Sequence, residues 1–448
     1  MNIVPFTQPI LPFTQPVYGE VHLPGSKSIT NRALLLAALN SEITVLQNAL
    51  FSEDTLIMVE ALQKLGFSIQ INLSEKTISI QGKGGRIPSS TGTINVGNAG
   101  TVARFLVALL SLKEGGEYRL DGSESMRKRP INPLLTALES IGAIEVHYHG
   151  EFGHFPFTLK TKGLKSGIVK IDASESGQFL SALLMVGPLV PGGFIVDVSG
   201  EIVSKPFITM TLAMINEFGG MLPQVEQRGY RYIFNGHNGY HFREKYYLIE
   251  PDATAASYFL VLPLVVGGQI TLHGLSRGPM KQGDIDFSYI VEKIGLIVRK
   301  TQKFWFVERA KKPLMQVPET DFNDISDTFL TLAAIAPLLR TPTYIKGITH
   351  TRLQETDRPS AVATELKKLG QIIKQTSDAI LIRPQLLQSG VIETYKDHRM
   401  AMSFGILGCF DLFENGKSWM SIHNPHCCSK TFPNFFDVLD KLRMRSVK

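Results

Sequence analysis

Glu20-Val21-His22-Leu23-Pro24-Gly25-Ser26-Lys27-Ser28-Ile29-Thr30-Asn31-Arg32 carries the chain from a short strand, through a glycine turn, directly into an apolar run that ends at Leu39. A helix that starts this way presents unpaired N–H groups and a positive dipole end, a natural seat for an anion. The construction recurs five times. The later openings are Gly97-Asn98-Ala99-Gly100-Thr101, Ser174-Glu175-Ser176-Gly177-Gln178, Pro251-Asp252-Ala253-Thr254, Asn323-Asp324-Ile325-Ser326-Asp327 and Tyr395-Lys396-Asp397-His398-Arg399. Between them, amphipathic helices end on Gly66, Gly142, Gly219, Gly295 and Gly370, at intervals of 76, 77, 76 and 75 residues. Six such intervals account for the 448 residues.

The segments between these landmarks alternate in period. Val45–Leu50, Ile69–Ile71, Thr77–Gln81, Ile168–Ile171 and Phe194–Val198 read as strands. Thr55–Leu65, Asn132–Ile141, Phe207–Phe218, Phe287–Ile294 and Pro359–Leu369 place apolar residues at three- and four-residue steps and read as amphipathic helices. Arg32–Leu39, Arg104–Leu112, Phe179–Val186, Ala255–Val266, Thr328–Leu339 and Met400–Cys409 are apolar nearly all round, which predicts helices buried on every side. Each unit is then strand, apolar helix, strand, amphipathic helix, strand, strand. One unit cannot cover both faces of its sheet and must pack on its siblings. The reading is an α/β fold with a six-fold internal repeat, three units to a domain, and a boundary near Tyr247–Asp252.

Two domains also suit a chain longer than one ordinary core. With 44% apolar and 19% charged residues the composition is that of a soluble globular protein. A net charge of +6 suits small acidic substrates, and the basic residues are scattered. The one dense basic run, Arg127-Lys128-Arg129, is too short to follow a nucleic-acid backbone, so no nucleic-acid partner is expected. Three cysteines, with Cys427 and Cys428 adjacent, make no disulfide framework and suggest a reducing cytoplasm. Residues 1–18 lack a signal peptide's basic start and apolar core. Their repeated Pro-Phe-Thr-Gln-Pro, Pro5–Pro9 and Pro12–Pro16, reads as an extended lead-in without chemistry. The most hydrophobic stretch, Phe179 to Val198, is broken by Pro188, Pro191, Gly192 and Gly193 and does not read as a membrane span.

Several openings carry residues suited to chemistry. Lys27 and Arg32, with the Ser28 hydroxyl and free backbone N–H groups, could hold an anion, although the spacing of a Walker A loop is absent; a capped helix with two solvated bases is the alternative. In Asn98-Ala99-Gly100-Thr101 small residues permit close backbone approach, and Thr101 could cap the helix that contains Arg104. Arg129 offers a guanidinium fork for a carboxylate or phosphate, while Arg127 and Lys128 read as solvated. Asp327, at the start of an apolar helix, could transfer protons, and helix capping is compatible with that. Arg352, Glu355, Asp357 and Arg358 pack two acids and two bases ahead of a proline-started helix, as a surface salt-bridge cluster also would. His398 and Arg399 open a buried helix, where a histidine taken alone reads as a satisfied helix-end residue. His423, His426, Cys427 and Cys428 could suggest zinc, but adjacent cysteines are poor ligands for one tetrahedral ion, and no metal is expected. Lys430, just beyond, better suits an anion site.

Leu23–Ser28, Asn31–Leu39, Gly97–Thr101, Lys128–Ile131, Ser204–Phe207, Glu355–Arg358, Asp397–Met402 and Ser429–Pro433 together resemble, in order, the motifs of the 5-enolpyruvylshikimate-3-phosphate synthase family of enolpyruvyl transferases. The resemblance implies an inside-out α/β barrel in each of two domains, each of three βαβαββ units, that close on their substrates. One domain would be discontinuous, 1–23 with 250–448, and the other 24–249, with hinges near 22–25 and 247–252. Asp252, at that junction, reads as a hinge residue. The implied reaction moves the enolpyruvyl group of phosphoenolpyruvate to the 5-hydroxyl of shikimate 3-phosphate and releases phosphate, with no cofactor, in a cytoplasmic monomer with no membrane partner.

The same resemblance assigns roles. Lys27 would touch both substrates and shuttle protons, Asp327 would orient or deprotonate the hydroxyl, and Glu355 would serve the methylene carbon, with His398 and Asp54 in support. Gly100, Arg129, Gln178, Arg358, Arg399 and Lys430 would join Lys27 in binding phosphoenolpyruvate. Ser28, Arg32, Ser176, Gln178, Ser204, Asp327, His350 and Gln354 would join it on shikimate 3-phosphate.

Four positions depart from the family pattern: Gln354 for lysine, Gly177 for serine, Phe207 for tyrosine and His350 for asparagine. Phe105, where proline is common, bears on the response to glyphosate. A UDP-N-acetylglucosamine enolpyruvyl transferase would carry an asparagine after Gly-Ser-Lys and a cysteine in the mobile loop; this chain has Ser28, and no cysteine in Ser123–Pro130. A catalytically degenerate homologue that only binds a phosphorylated metabolite is a rival reading, motivated by the four departures, although all the expected acid–base groups are present. A nucleic-acid end-processing enzyme would need a basic groove lined with aromatics.

Overall fold

The computed structural model describes residues 6–236, 239–310 and 319–446. Two compact units emerge, Gly25–Ile249 and Met1–Pro24 with Glu250–Lys448. Among the described residues each holds three separate mixed sheets and its own core.

Most sheets follow one plan. In the sheet of Thr91–Asn95, the first strand pairs in parallel with Glu114–Asp121 across the helix Gly100–Ser111. That second strand pairs antiparallel with Phe157–Lys162, which pairs antiparallel with Ile144–Tyr148. The parallel pair needs a crossover, which the buried helix supplies, and the last two strands are a simple antiparallel return. Two sheets take their first strand from elsewhere in the chain. Tyr246–Leu248 pairs with Ile43–Gln47, and Val17–His22 pairs with Gly268–His273, both in parallel.

The six apolar helices are enclosed. Every residue of Gly100–Ser111, Phe329–Ile335 and His398–Gly408 is buried, as is Lys27–Leu39 from Ile29 onward. The amphipathic helices cover the sheets, as their period predicts. Gly66, Gly142, Gly219, Gly295 and Gly370 all have positive φ, from 69° to 109°, which lets each helix turn sharply into its next strand.

Some boundaries differ from the sequence reading. The strand expected at Val45–Leu50 is Ile43–Gln47, because Asn48 turns to φ 55° and gives its side-chain amide to the Ile249 carbonyl at 3.1 Å. The helix expected over Thr328–Leu339 is α-helical only at Phe329–Ile335; Pro337 lies in the tighter turn Ala336–Leu338 that follows. Thr101 does not cap its helix. It lies inside the first turn, and its hydroxyl accepts from the Asn31 amide at 2.8 Å, joining two buried helices. The first proline-flanked repeat is more than a lead-in: Thr7–Ile10 is a strand that pairs antiparallel with Met420–His423 and finishes the sixth sheet. Pro5, at the head of that repeat, lies outside the described residues.

Candidate active site

In the unit Gly25–Ile249, three buried helices begin with no acidic residue in the first turn, and basic side chains gather at two of those ends. Ser26 caps Lys27–Leu39 by accepting the Ile29 N–H. Lys27 Nζ lies 3.4 Å from Asp54 Oδ2, with both side chains largely buried. One turn on, Arg32 is 1% exposed. Its guanidinium donates to Thr211 Oγ1 at 2.8 Å, Ser181 Oγ at 3.2 Å and the Ser28 carbonyl at 3.2 Å, and it lies over the rings of Phe105 and Phe207 at 5.1 and 5.7 Å. These partners are neutral, so burial pushes Arg32 down to about 9. A buried guanidinium held by neutral oxygens favours the approach of an anion. Phe207, one of the departures, thus offers its ring face to Arg32.

Gly100 leaves room for two guanidiniums. A Cβ there would lie 2.7 Å from Arg129 Nη2 and 3.1 Å from Arg104 Nη1, so two guanidiniums crowd this helix start because nothing projects from it. Arg129 is 8% exposed and donates to the Asn98 carbonyl at 3.5 Å. Its neighbours turn away: Arg127 forks onto Asp121 at 2.9 and 2.7 Å, and Lys128 meets Glu124 at the surface. The third start has Ser176 as cap, accepting the Gln178 N–H at 3.2 Å. A Cβ on Gly177 would lie 2.9 Å from the Val203 carbonyl, which accounts for glycine at this departure. Ser204, at φ 54°, opens the helix Lys205–Glu217 beside it.

The other unit carries a lattice of charges. Asp327 precedes its helix instead of capping it, and its two oxygens accept from Arg358 at 2.8 Å and Arg399 at 2.7 Å. Glu355 accepts from Arg358 at 2.9 Å, and Lys430 Nζ approaches its other oxygen at 3.5 Å. Arg358 also meets Asp397 at 2.7 Å and the side-chain oxygen of Gln354. Burial alone would lower Arg358, but Asp397, Glu355 and Asp327 hold it well above an ordinary arginine. Asp327 and Tyr258 do the same for Arg399 against the same opposing burial. Arg352, by contrast, pairs with Asp357, so the acidic-basic run splits into one pair partly open to solvent and one pair nearly sealed from it.

His398 is fully buried, its Nδ1 3.7 Å from Asp397 Oδ1. His350 Nε2 lies 2.9 Å from Ser326 Oγ, and burial lowers its proton affinity. The histidine-cysteine motif disperses: His423 faces Glu393 at 3.8 Å, His426 stacks edge-on against Phe6, and Cys428 is buried against the His398 carbonyl.

Three residues at this cluster were absent from the sequence assignment. Asp397 joins Arg358 to the Arg399 N–H, Tyr258 accepts from Arg399 at 3.5 Å, and Asp284 bonds the Thr254 hydroxyl. Asp397 had a visible signal, an acid one residue before a buried helix. Asp284 had none, since its neighbours are remote in sequence.

Comparison with known proteins identifies the family of the chain as a whole. The family model described as EPSP synthase (3-phosphoshikimate 1-carboxyvinyltransferase) matches residues 13–439. A 3-phosphoshikimate 1-carboxyvinyltransferase of Opitutus terrae is 47% identical, with 100% of this chain and 98% of that protein covered. One from Nostoc punctiforme is 40% identical over 94% of this chain and 95% of its own. Among solved structures, an EPSP synthase from Acinetobacter baumannii superposes with a TM-score of 0.77 at 24% identity, covering 98% of both chains, a likeness of fold.

Proposed function

The chain belongs to the EPSP synthase family and transfers the enolpyruvyl group of phosphoenolpyruvate to shikimate 3-phosphate in the shikimate pathway, and from that premise we propose how its residues divide the work. The reaction adds the 5-hydroxyl oxygen to the enol carbon while the methylene gains a proton. Phosphate then leaves, and a proton returns from the methyl group. Proton carriers must therefore stand among cations.

Arg358, Arg399 and Lys430, with Arg129 and the Gly100 backbone, hold phosphoenolpyruvate; Lys27 and Gln178 touch it too. Ser28, Arg32, Ser176, Ser204, His350 and Gln354 hold shikimate 3-phosphate together with Lys27, Gln178 and Asp327. What carries this reading is that Asp327 and Glu355 both rest on one guanidinium, Arg358. An anionic substrate that claims Arg358, Arg399 and Lys430 takes donors from those two carboxylates and brings negative charge beside them. Both effects raise a carboxylate's affinity for a proton. Asp327 can then accept the hydroxyl proton, and Glu355 can exchange one with the methylene. Lys27, beside Asp54, carries the remaining proton traffic, and His398 supports it. The protein acts as a cytoplasmic monomer on small molecules, with no nucleic-acid or membrane partner. Among the described residues no helix is long and apolar enough to cross a membrane.

Because residues of both units are assigned to the same substrates, binding both should compact the protein in X-ray scattering; an unchanged radius of gyration counts against the assignment. The decisive assay is phosphate release from phosphoenolpyruvate with shikimate 3-phosphate as acceptor. Binding of shikimate 3-phosphate without release would leave a binding protein, and release only with UDP-N-acetylglucosamine would move the substrate.

A further inference from the structure

Val17–His22 is an edge strand, and its side chains alternate: Val17 and Val21 are buried, while Tyr18, Glu20 and His22 face outward. It pairs in parallel with Gly268–His273, in a register that sets His22 directly beside His273. Ile270 and Leu272 fill the core side of that second strand, so His273 shares the outer face with His22. The two imidazoles stack with centroids 4.5 Å apart and planes within 10°. Glu20, two residues before His22 on the same face, brings Oε2 to 3.0 Å from His273 Nε2. One donor atom from each of the three lies within 4.8 Å of the others.

We propose that Glu20, His22 and His273 form a surface site for a divalent transition-metal ion of the zinc class, separate from the charge clusters described above. Two borderline imidazole nitrogens with one hard carboxylate oxygen make a donor set that suits Zn²⁺, Ni²⁺ or Cu²⁺, whereas Mg²⁺ and Ca²⁺ favour oxygen alone. Metal–ligand distances of about 2.0–2.2 Å need the donors somewhat closer than they stand. The side chains of Glu20 and His273 are 59% and 30% exposed, so rotation can close that gap without moving backbone. The carboxylate already on His273 would turn to the ion, and water would complete the shell. Phe304, whose ring centroid lies 6.0 Å from that of His273, walls one side. The bound ion would pin the edge strand to its neighbour three residues before Gly25, where the chain leaves this unit.

The test is calorimetric titration of the whole, metal-stripped protein with Zn²⁺, repeated for His22→Gln, His273→Gln and the double variant. The expected result is one saturable site with a Kd on the order of 10 μM or tighter, weakened about tenfold or more by either change. Bound Zn²⁺ should also raise the melting temperature of the parent but not of the double variant. Co²⁺ in its place should give ligand-field bands without thiolate charge transfer, which separates this site from Cys427 and Cys428. Unchanged binding in the double variant, a thiolate band, or no saturable binding up to about 1 mM overturns the proposal. The variants alter an exposed side chain, His22, and a partly exposed one, His273, and their metal-free melting curves should stay near the parent's; a large drop would mean the trio is a structural contact and would equally overturn it.

Discussion

Arg358 and Asp397 form an ion pair that solvent barely reaches, Nε to Oδ2 at 2.7 Å with side chains 2% and 0% exposed. The same carboxylate takes the Arg399 N–H at 2.8 Å and so caps the helix His398–Gly408. Removing it leaves a buried guanidinium short of one of its three carboxylates and a helix start uncapped. Asp397→Ala should therefore cost about 3–5 kcal/mol in urea unfolding, and Asp397→Asn, which can still cap, distinctly less. Equal losses would mean that charge, not capping, decides.

Lys27→Met should abolish turnover while circular dichroism still reports the parent's fold, with some loss of melting temperature from the broken Asp54 pair. A proton-transfer group is worth about 10²–10⁴ in rate. Retention of more than about a hundredth of kcat would remove Lys27 from that role.

Gly100→Ala forces its new methyl against the ends of two arginine side chains, which can give way, so the fold should survive. The displaced Arg129 and Arg104 groups should raise KM for phosphoenolpyruvate about tenfold, one lost charge-assisted contact of roughly 1.4 kcal/mol. KM for shikimate 3-phosphate should move little. A change confined to that second substrate would reassign the helix start.

Much of this was legible from periodicity. The interval of about 75 residues and the all-apolar helices specify repeating units with buried crossovers, and the terminal glycines mark where each helix turns. Strand exchange was not legible from pattern alone, because Val17–His22 and Tyr246–Leu248 both find partners hundreds of residues away through hydrogen bonds that any strand can make. The site shows the same division. Lys27, Asp327 and Arg399 stand at helix starts that the pattern exposes. Asp284 and Tyr258 reach the cluster only through tertiary packing, and nothing in the short helical turn Gly283–Asp286 marks one of its two acids as buried.

Restoring the family's serine by Gly177→Ser tests whether that departure is adaptation or loss. Its Cβ would press on the Val203 backbone carbonyl at 2.9 Å, which cannot swing aside as a side chain could. The variant should loosen the Ser176–Gln178 turn and raise KM for shikimate 3-phosphate, with a melting point a few degrees lower, for about 1 kcal/mol of overpacking strain. An improved KM would show that the turn relaxes at no cost.

Asp284 makes the stability of its unit depend on pH in an unusual direction. Burial, then the charge of Asp327, pushes its carboxyl up to about 7, with Asp252 adding to this and Arg399 and the Thr254 hydroxyl opposing. An unfolded chain would release that proton near the ordinary value of 3.8. Between these values the folded protein holds a proton that the unfolded chain has lost. Stability contributed by this group is therefore complete below about pH 4, falls by up to about 1.4 kcal/mol per pH unit through the window, and levels off above about pH 7. Asp284→Asn cannot ionise and keeps an oxygen for Thr254. It should flatten the decline between pH 4 and 7 and leave the variant more stable than the parent at pH 8. Urea midpoints measured from pH 4.5 to 8 decide the matter: parallel curves for the two proteins would mean that Asp284 is charged throughout and that the cluster around Arg399 holds one more carboxylate than proposed.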